Sequence, residues 1–226
     1  MPPPTVIALV GAESTGKTLL GIELTAQLRK RGLSAALIPE VLREWCDREG
    51  RTPRPDEQET IAREQAQRID EAGTQVVIAD TTALMTAVYS DMLFGDTSLY
   101  GFALARQAGY AFTLLMGLDL PWVADGLQRD GPHVREPVDT LLRAALARAA
   151  IRYRVIYGNG SERLDHALNA IKAVPDQARS HPPEVLRPAA AGTAWVWVCD
   201  KCSDPDCEHR LFTERMNSGA AGRSSA

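Results

Sequence analysis

The segment GAESTGKT, residues 11–18, is the most informative part of the sequence for the fold. It matches the pattern G-x-x-x-x-G-K-[ST] of a phosphate-binding loop. Residues 5–10, TVIALV, are apolar and rich in β-branched side chains, which predicts a buried strand before the loop. Residues 17–31 carry apolar side chains at helical spacing and precede Gly32, which predicts an amphipathic helix after it. A chance glycine-rich turn would lack these flanks, so we predict a P-loop that binds a nucleoside triphosphate.

The chemistry of such a loop needs these residue types. Glycines let the backbone wrap closely around a phosphate, and the N–H groups of the loop and of the helix N-terminus face the anion. We expect Lys17 to reach the β- and γ-phosphates of ATP and the Thr18 hydroxyl to bind Mg²⁺. The residues predicted to contact the nucleotide are Gly11, Ala12, Glu13, Ser14, Thr15, Gly16, Lys17 and Thr18.

Length and composition limit the class of protein. The chain has 226 residues, of which 45% are hydrophobic, enough for one α/β domain with a small appendage. A net charge of −4 argues against non-specific nucleic-acid or membrane-surface binding, which favours a basic face. No apolar run approaches the roughly 20 residues that span a bilayer, and the first residues lack the features of a signal peptide. We therefore expect a soluble, cytoplasmic protein.

Strands and helices alternate along the first 173 residues. Four further apolar runs predict strands at residues 33–39, 74–80, 112–118 and 154–157. Helical patterns fill the gaps, notably at residues 56–71, 138–153 and 162–174. Alternation of this kind predicts an α/β fold, with a mostly parallel five-stranded sheet flanked by helices, over residues 1–173.

Two acids follow predicted strands, at the edge where open α/β sheets bind ligands. Asp80 ends VVIAD and Glu40 follows LIP. Asp80 could hold Mg²⁺, directly or through water, or accept a proton from an attacking hydroxyl. Glu40 could bind a ribose diol or be that proton acceptor. Either acid could instead cap a helix or lie in a loop exposed to solvent. The hydroxyls of Thr81 and Thr82 could support Mg²⁺ or cap the next helix.

The segment WVADGLQRDGPHVRE, residues 122–136, carries arginines between glycines and a proline. A hinged loop with Arg129 and Arg135 beside a phosphate site is typical of a closing lid, although a plain surface loop would look similar. Asn159, in YGNG after the fifth strand, could line an adenine pocket or simply form a turn.

These segments together resemble the NadR-type ribosylnicotinamide kinase domain, within the AAA-domain-like P-loop NTPases. The resemblance covers roughly residues 4–173. The stretches that carry it, in chain order, are GAESTGKT, EVLREW, RTPRPDEQETIAREQ, ADTTALMTAVY, WVADGLQRDG with the later Arg135, and YGNGSERLDHALNAI.

The resemblance implies phosphoryl transfer from ATP to the 5′-hydroxyl of a nucleoside-like substrate such as nicotinamide riboside. By analogy Lys17 and Thr18 hold the triphosphate and Mg²⁺, and Trp45 or Tyr89 could stack on a flat base or lie in the core. The residues that the resemblance places around the acceptor and in the lid are Glu40, Arg43, Asp80, Arg129 and Arg135.

The last fifty residues differ in character. Residues 174–194 are rich in proline and alanine and predict a linker, and residues 217–226 predict a disordered tail. Between them, residues 195–216 hold a cluster of soft ligands that predicts a structural Zn²⁺ site, with free thiols or a redox pair as the alternative. The predicted zinc ligands are Cys199, Cys202, Cys207 and His209.

Two functions fit this organisation. The first is a kinase that transfers the γ-phosphate of ATP to a nucleoside-like small molecule, which the strand-end acids and the lid-like arginines favour. The second is a nucleotide-gated regulatory or adaptor ATPase whose zinc module binds a partner, either protein or nucleic acid. A water-directed ATPase is a weaker third possibility. No N-K-x-D stretch is present, which argues against a typical GTPase.

Overall fold

The computed structural model describes residues 3–123 and 132–172. Its five strands form one sheet in the order β2-β3-β1-β4-β5, and every neighbouring pair is parallel. This confirms the predicted five-stranded α/β fold. The strands are β1 Thr5–Val10, β2 Ala35–Ile38, β3 Val76–Asp80, β4 Phe112–Met116 and β5 Arg154–Ile156.

Helices connect the strands, and two short 3-10 turns, Pro55–Glu57 and Pro132–Val134, precede the third and sixth of them. The helices are α1 Lys17–Lys30, α2 Val41–Glu49, α3 Gln58–Asp70, α4 Ala83–Phe94, α5 Tyr100–Ala108, α6 Arg135–Arg148 and α7 Gly160–Ala170.

The predicted bounds of α6 were wrong at both ends. The helix begins three residues before the predicted 138–153 and ends at Arg148. Ala150 has a φ of 52°, and a residue in this left-handed region cannot continue a right-handed helix. Helix α7 likewise begins two residues before the predicted 162–174 and ends at Ala170.

The core lies in two layers, one on each face of the sheet. Because successive strand residues point to opposite faces, Ile7 and Leu9 pack against α1 and α7, whereas Val10 packs against α4, α5 and α6. Helix α3 also covers this second face, through Ile69 beneath Val77. The result is a three-layer α/β/α arrangement.

Helix α1 presents a narrow apolar stripe to the sheet. Leu20, Leu24 and Leu28 recur every four residues and are at most 3% exposed. Leu19 and Ile22, which the sequence pattern placed in the same helix as apolar residues, are 59% and 53% exposed. The core therefore uses three of the five leucine and isoleucine side chains of this helix.

Strand register brings the predicted site together. Leu9 of β1 pairs with Asp80 of β3, and Ile38 of β2 pairs with Ala79. The carboxyl ends of these strands therefore lie side by side, at the edge where such sheets bind ligands. Within the described ranges, no helix is long and apolar enough to cross a membrane.

Candidate active site

The loop between β1 and α1 has the backbone of a phosphate cradle. Gly11, Ser14 and Gly16 have φ values of 145°, 54° and 77°, a region that glycine enters readily and serine rarely. A Cβ on Gly11 would lie 3.0 Å from the Cβ of Met116, so only glycine fits beside β4. The Thr15 hydroxyl, fully buried, donates to the Ala12 carbonyl at 2.7 Å and holds the loop closed.

Lys17 folds back over this loop. Its Nζ donates to the carbonyls of Gly11 and Ala12 at 2.9 and 2.8 Å, and the residue is 9% exposed. The ammonium charge is therefore held inside the curve of the loop, where a phosphate would meet it.

Asp80 lies at the end of β3, 2% exposed, next to the first turn of α1. The Thr18 hydroxyl donates to its Oδ2 at 2.6 Å. Its Oδ1 is buried and has no hydrogen-bond partner within residues 3–123 and 132–172. A buried carboxylate oxygen without a partner is costly, and Mg²⁺ prefers oxygen ligands of this kind. The hydroxyl and the carboxylate therefore fit a magnesium ion.

The next two residues shape the start of α4. Thr81 has a φ of 69°, a strained conformation for a β-branched residue. The hydroxyl of Thr82 caps the helix, accepting from the N–H of Leu84 at 3.3 Å. It also donates to Oε1 of Gln107 at 2.7 Å, and Nε2 of Gln107 donates to the Thr113 hydroxyl at 2.8 Å. Of its two predicted roles, Thr82 has that of the helix cap.

Glu40 occupies the N-cap position of α2, and its side chain is 11% exposed. Burial raises the pKa of this carboxyl, and the nearby charge of Asp80 raises it further, while Lys17 and Arg43 oppose the rise. Arg43 lies beside it, with Nη2 3.5 Å from Oε2. The two acids predicted from the strand ends therefore share one electrostatic environment with the P-loop lysine.

Burial of Glu40 predicts a pH-dependent effect on stability. Because the folded state raises the pKa above its ordinary 4.5, the carboxyl contributes stability below pH 4.5 that is lost as pH rises through the folded-state pKa. We expect Glu40→Gln to unfold at higher urea than the unaltered protein, by a margin that grows as pH is raised from 4.5 to 8. Urea unfolding at several pH values measures it, and a margin that stays constant would contradict it.

The residues after β4, 117–123, lie against the phosphate loop; we call them the β4 loop. Ser14 bonds to the Val123 backbone in both directions, accepting from its N–H at 2.8 Å and donating to its carbonyl at 3.2 Å. A Cβ on Gly16 would lie 3.0 Å from Cδ1 of Leu120. The position of the phosphate loop therefore depends on the β4 loop.

Arg135, predicted as a lid residue, begins α6 and is 8% exposed. Its Nη1 donates to the Leu120 carbonyl at 2.8 Å and its Nη2 to the Leu118 carbonyl at 3.2 Å. The guanidinium thus holds the β4 loop, and its lid role stays a prediction.

Arg163 is a residue that the sequence reasoning missed. It lies on α7, 4% exposed, and its Nη1 is 3.4 Å from the carbonyl of Thr15 in the phosphate loop. Its Nη2 donates to Oδ1 of Asp119 at 3.2 Å. The available signal was its spacing: Arg163 stands four residues before Ala167, on the buried face of the helix.

The remaining predicted residues have varied surroundings. Asn159 is exposed at the N-cap of α7, where its side chain makes no capping bond. Trp45 is 9% exposed, and the Arg51 guanidinium lies 4.7 Å above its ring. Tyr89, on α4, is partly buried and packs against the hydrophobic core that α4 and α6 share.

Gly117 gives a test of the β4 loop. A Cβ there would lie 2.3 Å from Cδ1 of Tyr157, so alanine must displace the ring or the backbone. We expect Gly117→Ala to lower the free energy of unfolding by about 1–3 kcal/mol. Gly101→Ala, on α5, is the matched control: a Cβ there meets nothing within 4 Å and should be neutral or slightly stabilising. Equal urea midpoints for both variants would contradict the expectation.

Several predictions lie outside the described residues: Arg129, the linker, the tail and the four zinc ligands Cys199, Cys202, Cys207 and His209. Within the described part of the chain, no group of three or more histidine, cysteine or acidic side chains could hold a metal ion. The zinc site therefore stays a prediction.

Comparison with known proteins gives a family and a set of similar folds. The model of the AAA domain family matches residues 6–163 of the 226. No curated protein sequence matches the chain. Among solved structures, NadR protein in complex with NR is 20% identical, with a TM-score of 0.60, and covers 76% of this chain. NadR protein in complex with NAD and AMP-PNP gives the same identity, TM-score and coverage of this chain.

This chain covers only 50% and 49% of those two NadR chains. Thymidylate kinase from Ehrlichia chaffeensis is 14% identical, with a TM-score of 0.52, and the match covers 76% of this chain and all of that one. At these identities the likeness shows the fold alone.

Proposed function

The chain belongs to the AAA domain family, and on that premise we propose that it is an ATP-dependent kinase. Its acceptor is a hydroxyl of a nucleoside-like small molecule of the nicotinamide riboside type. The observation that carries the proposal is the pairing of the buried Asp80 with Glu40, whose side chain is 11% exposed, in the electrostatic environment of the P-loop lysine. Asp80 can hold magnesium, and Glu40 then gives a kinase the second group that accepts the proton of the acceptor hydroxyl.

The triphosphate side of the site consists of the phosphate loop, Lys17, Thr18 and Asp80. Lys17 exchanges its carbonyl partners for phosphate oxygens, and the loop N–H groups face the same anion. The Thr18 hydroxyl and Oδ1 of Asp80, which has no hydrogen-bond partner among the described residues, would hold magnesium, which when bound would neutralise charge on the phosphates.

Glu40 acts as the proton acceptor. A carboxylate whose pKa is raised by burial is a stronger base than an ordinary one, and Asp80 is already engaged by Thr18. The Glu40 carboxylate takes the proton of the acceptor hydroxyl while the oxygen of that hydroxyl forms a bond to the γ-phosphorus of ATP. The bond from that phosphorus to the β–γ bridging oxygen breaks, and its electron pair leaves on ADP.

Arg43 orients Glu40 and faces the acceptor, being 39% exposed at its side chain beside the carboxylate. Arg129 and Arg135 are the proposed sources of positive charge over the transferred phosphoryl group, with Arg135 holding the β4 loop until nucleotide binds. Asn159 is proposed to border the base of ATP from the loop after β5.

The proposed class of acceptor rests on the resemblance to the NadR-type kinase domain and on the solved structures with a similar fold. The NadR structure holds NR, and the fold is shared with a thymidylate kinase, so a flat base on a sugar is the common chemistry. Nicotinamide riboside is the acceptor we propose to try first.

ATP turnover tests the proposal. The full chain is incubated with ATP and Mg²⁺, with and without a panel of nucleosides that includes nicotinamide riboside, and products are identified by mass spectrometry. We expect a new monophosphate and an equal amount of ADP with one nucleoside. ADP release that no nucleoside changes, or tight ATP binding without turnover, would overturn the kinase and favour the nucleotide-gated regulator.

A further inference from the structure

Arg163 joins three segments that are far apart in the chain. Its Nε donates to the Gly158 carbonyl at 3.2 Å, in the loop after β5. Its Nη2 reaches Asp119 in the β4 loop, and its Nη1 faces the carbonyl of Thr15 in the phosphate loop. One planar group thus touches the loops that follow β1, β4 and β5.

Asp119 completes the arrangement. While its Oδ1 accepts from Arg163, its Oδ2 accepts from the N–H of Gly158 at 2.7 Å. The Arg163–Asp119 pair therefore holds both backbone polar groups of Gly158, whose φ of 91° is a glycine conformation. Rotation of this residue would break both bonds.

The neighbouring residue fixes the same loop from the other side. The ring of Tyr157 fills the space that a side chain on Gly117 would need, and Nδ1 of His166 lies 3.1 Å from the Tyr157 carbonyl. Asn159 follows directly and is exposed. These contacts therefore fix the loop as far as Asn159, the residue that we propose to border the nucleotide base.

The charge of Arg163 has a cost. Burial lowers the pKa of its guanidinium, the charge of Arg135 lowers it further, and Asp119 opposes both. Arg163 is buried but Asp119 is exposed, so solvent screens the attraction between them, and stability alone is a weak reason for this pair. Its planar fork, which a lysine cannot reproduce, allows three directed contacts at once.

We propose that Arg163 is a positioning residue that sets the loop after β5, on the base side of the nucleotide, against the phosphate loop. The inference rests on the ATP binding in the proposed function and goes beyond it. It assigns recognition of the base to a residue that lies beneath both loops.

The test compares two ligands that share phosphates and differ in the base. Binding of ATP and of inorganic tripolyphosphate, each with Mg²⁺, is measured by calorimetry on the full chain and on Arg163→Lys. We expect the variant to bind ATP about tenfold more weakly, the loss of one or two directed hydrogen bonds. Its affinity for tripolyphosphate should stay within about twofold, because the phosphate loop keeps its own contacts.

Two further variants sharpen the result. Asp119→Asn should reproduce the selective loss with Arg163 intact, which guards against a poorly folded arginine variant. Arg152→Lys is the control, an exposed arginine that precedes β5, and should change neither affinity.

An equal loss of affinity for both ligands would reduce Arg163 to a structural residue and overturn the inference. So would ATP binding that Arg163→Lys leaves unchanged, or an unaltered protein that binds ATP no better than tripolyphosphate. The assay involves no phosphoryl transfer. If Arg163→Lys selectively loses affinity for ATP but the unaltered protein phosphorylates no nucleoside, the kinase is refuted and the inference about Arg163 stands. If the unaltered protein binds neither ATP nor tripolyphosphate, both are refuted.

Discussion

Asp80→Asn should reduce nucleoside phosphorylation by about 10²–10³-fold while ATP still binds within roughly tenfold of the original affinity. Asparagine keeps an oxygen that can accept from the Thr18 hydroxyl, so the local geometry survives. It removes the negative charge, and with it the carboxylate oxygen that lies buried without a partner in the described residues. Asp80→Asn therefore loses electrostatic stabilisation, mainly of the transition state.

Single-turnover transfer and equilibrium ATP binding, measured on the same preparation, separate the two effects. Asp165→Asn, an exposed acid on α7, is the matched control and should leave both unchanged. If Asp80→Asn kept more than a tenth of the original transfer rate, Asp80 would have no part in the chemistry.

Lys17→Met should also reduce transfer by about 10²–10³-fold, and it should weaken ATP binding as well. Methionine retains most of the apolar stem, which suits a side chain only 9% exposed, but it has no charge to meet the phosphates. It also leaves the carbonyls of Gly11 and Ala12 without the ammonium. Lys17 should contact the phosphates of bound ATP and hold them more strongly in the transition state, as negative charge moves toward ADP. Both affinity and rate should therefore fall, unlike in Asp80→Asn.

Lys30→Met is the control, since Lys30 ends the same helix and is exposed. Transfer rates and ATP affinities of both variants are compared at saturating and limiting ATP. A Lys17→Met protein that binds ATP normally would contradict the role of the loop itself.

Local sequence signals account for most of the fold and for part of the site. The P-loop was identified because eight consecutive residues carry its chemistry, and Asp80 and Glu40 because each follows an apolar strand. Parallel strands bring such ends to one edge, whatever the loops between them do. These features depend on spacing along the chain, which a sequence displays.

The contact between Arg163 and Asp119 could not be found in that way, although helical spacing places Arg163 on the buried face of α7. They lie 44 residues apart, and Arg163 is 148 residues from the Thr15 carbonyl. Their meeting depends on how β4 and β5 lie beside β1, which no local pattern encodes. Likewise Leu19 and Ile22 have core-like side chains, but the direction of α1 over the sheet turns them outward. The structure therefore adds Arg163 and Asp119, which lie in the segments after β5 and β4, to the site predicted from the sequence.

The chain of hydrogen bonds from Thr82 through Gln107 to Thr113 has an evolutionary consequence. Each of the three residues is at most 4% exposed. An apolar replacement of any one of them therefore leaves a polar atom of its neighbour buried without a hydrogen-bond partner. Replacing all three by apolar residues of similar shape would leave no such atom. Drift at these positions should therefore proceed by joint replacement, and homologous sequences should vary there together, although Thr82 and Gln107 lie 25 residues apart.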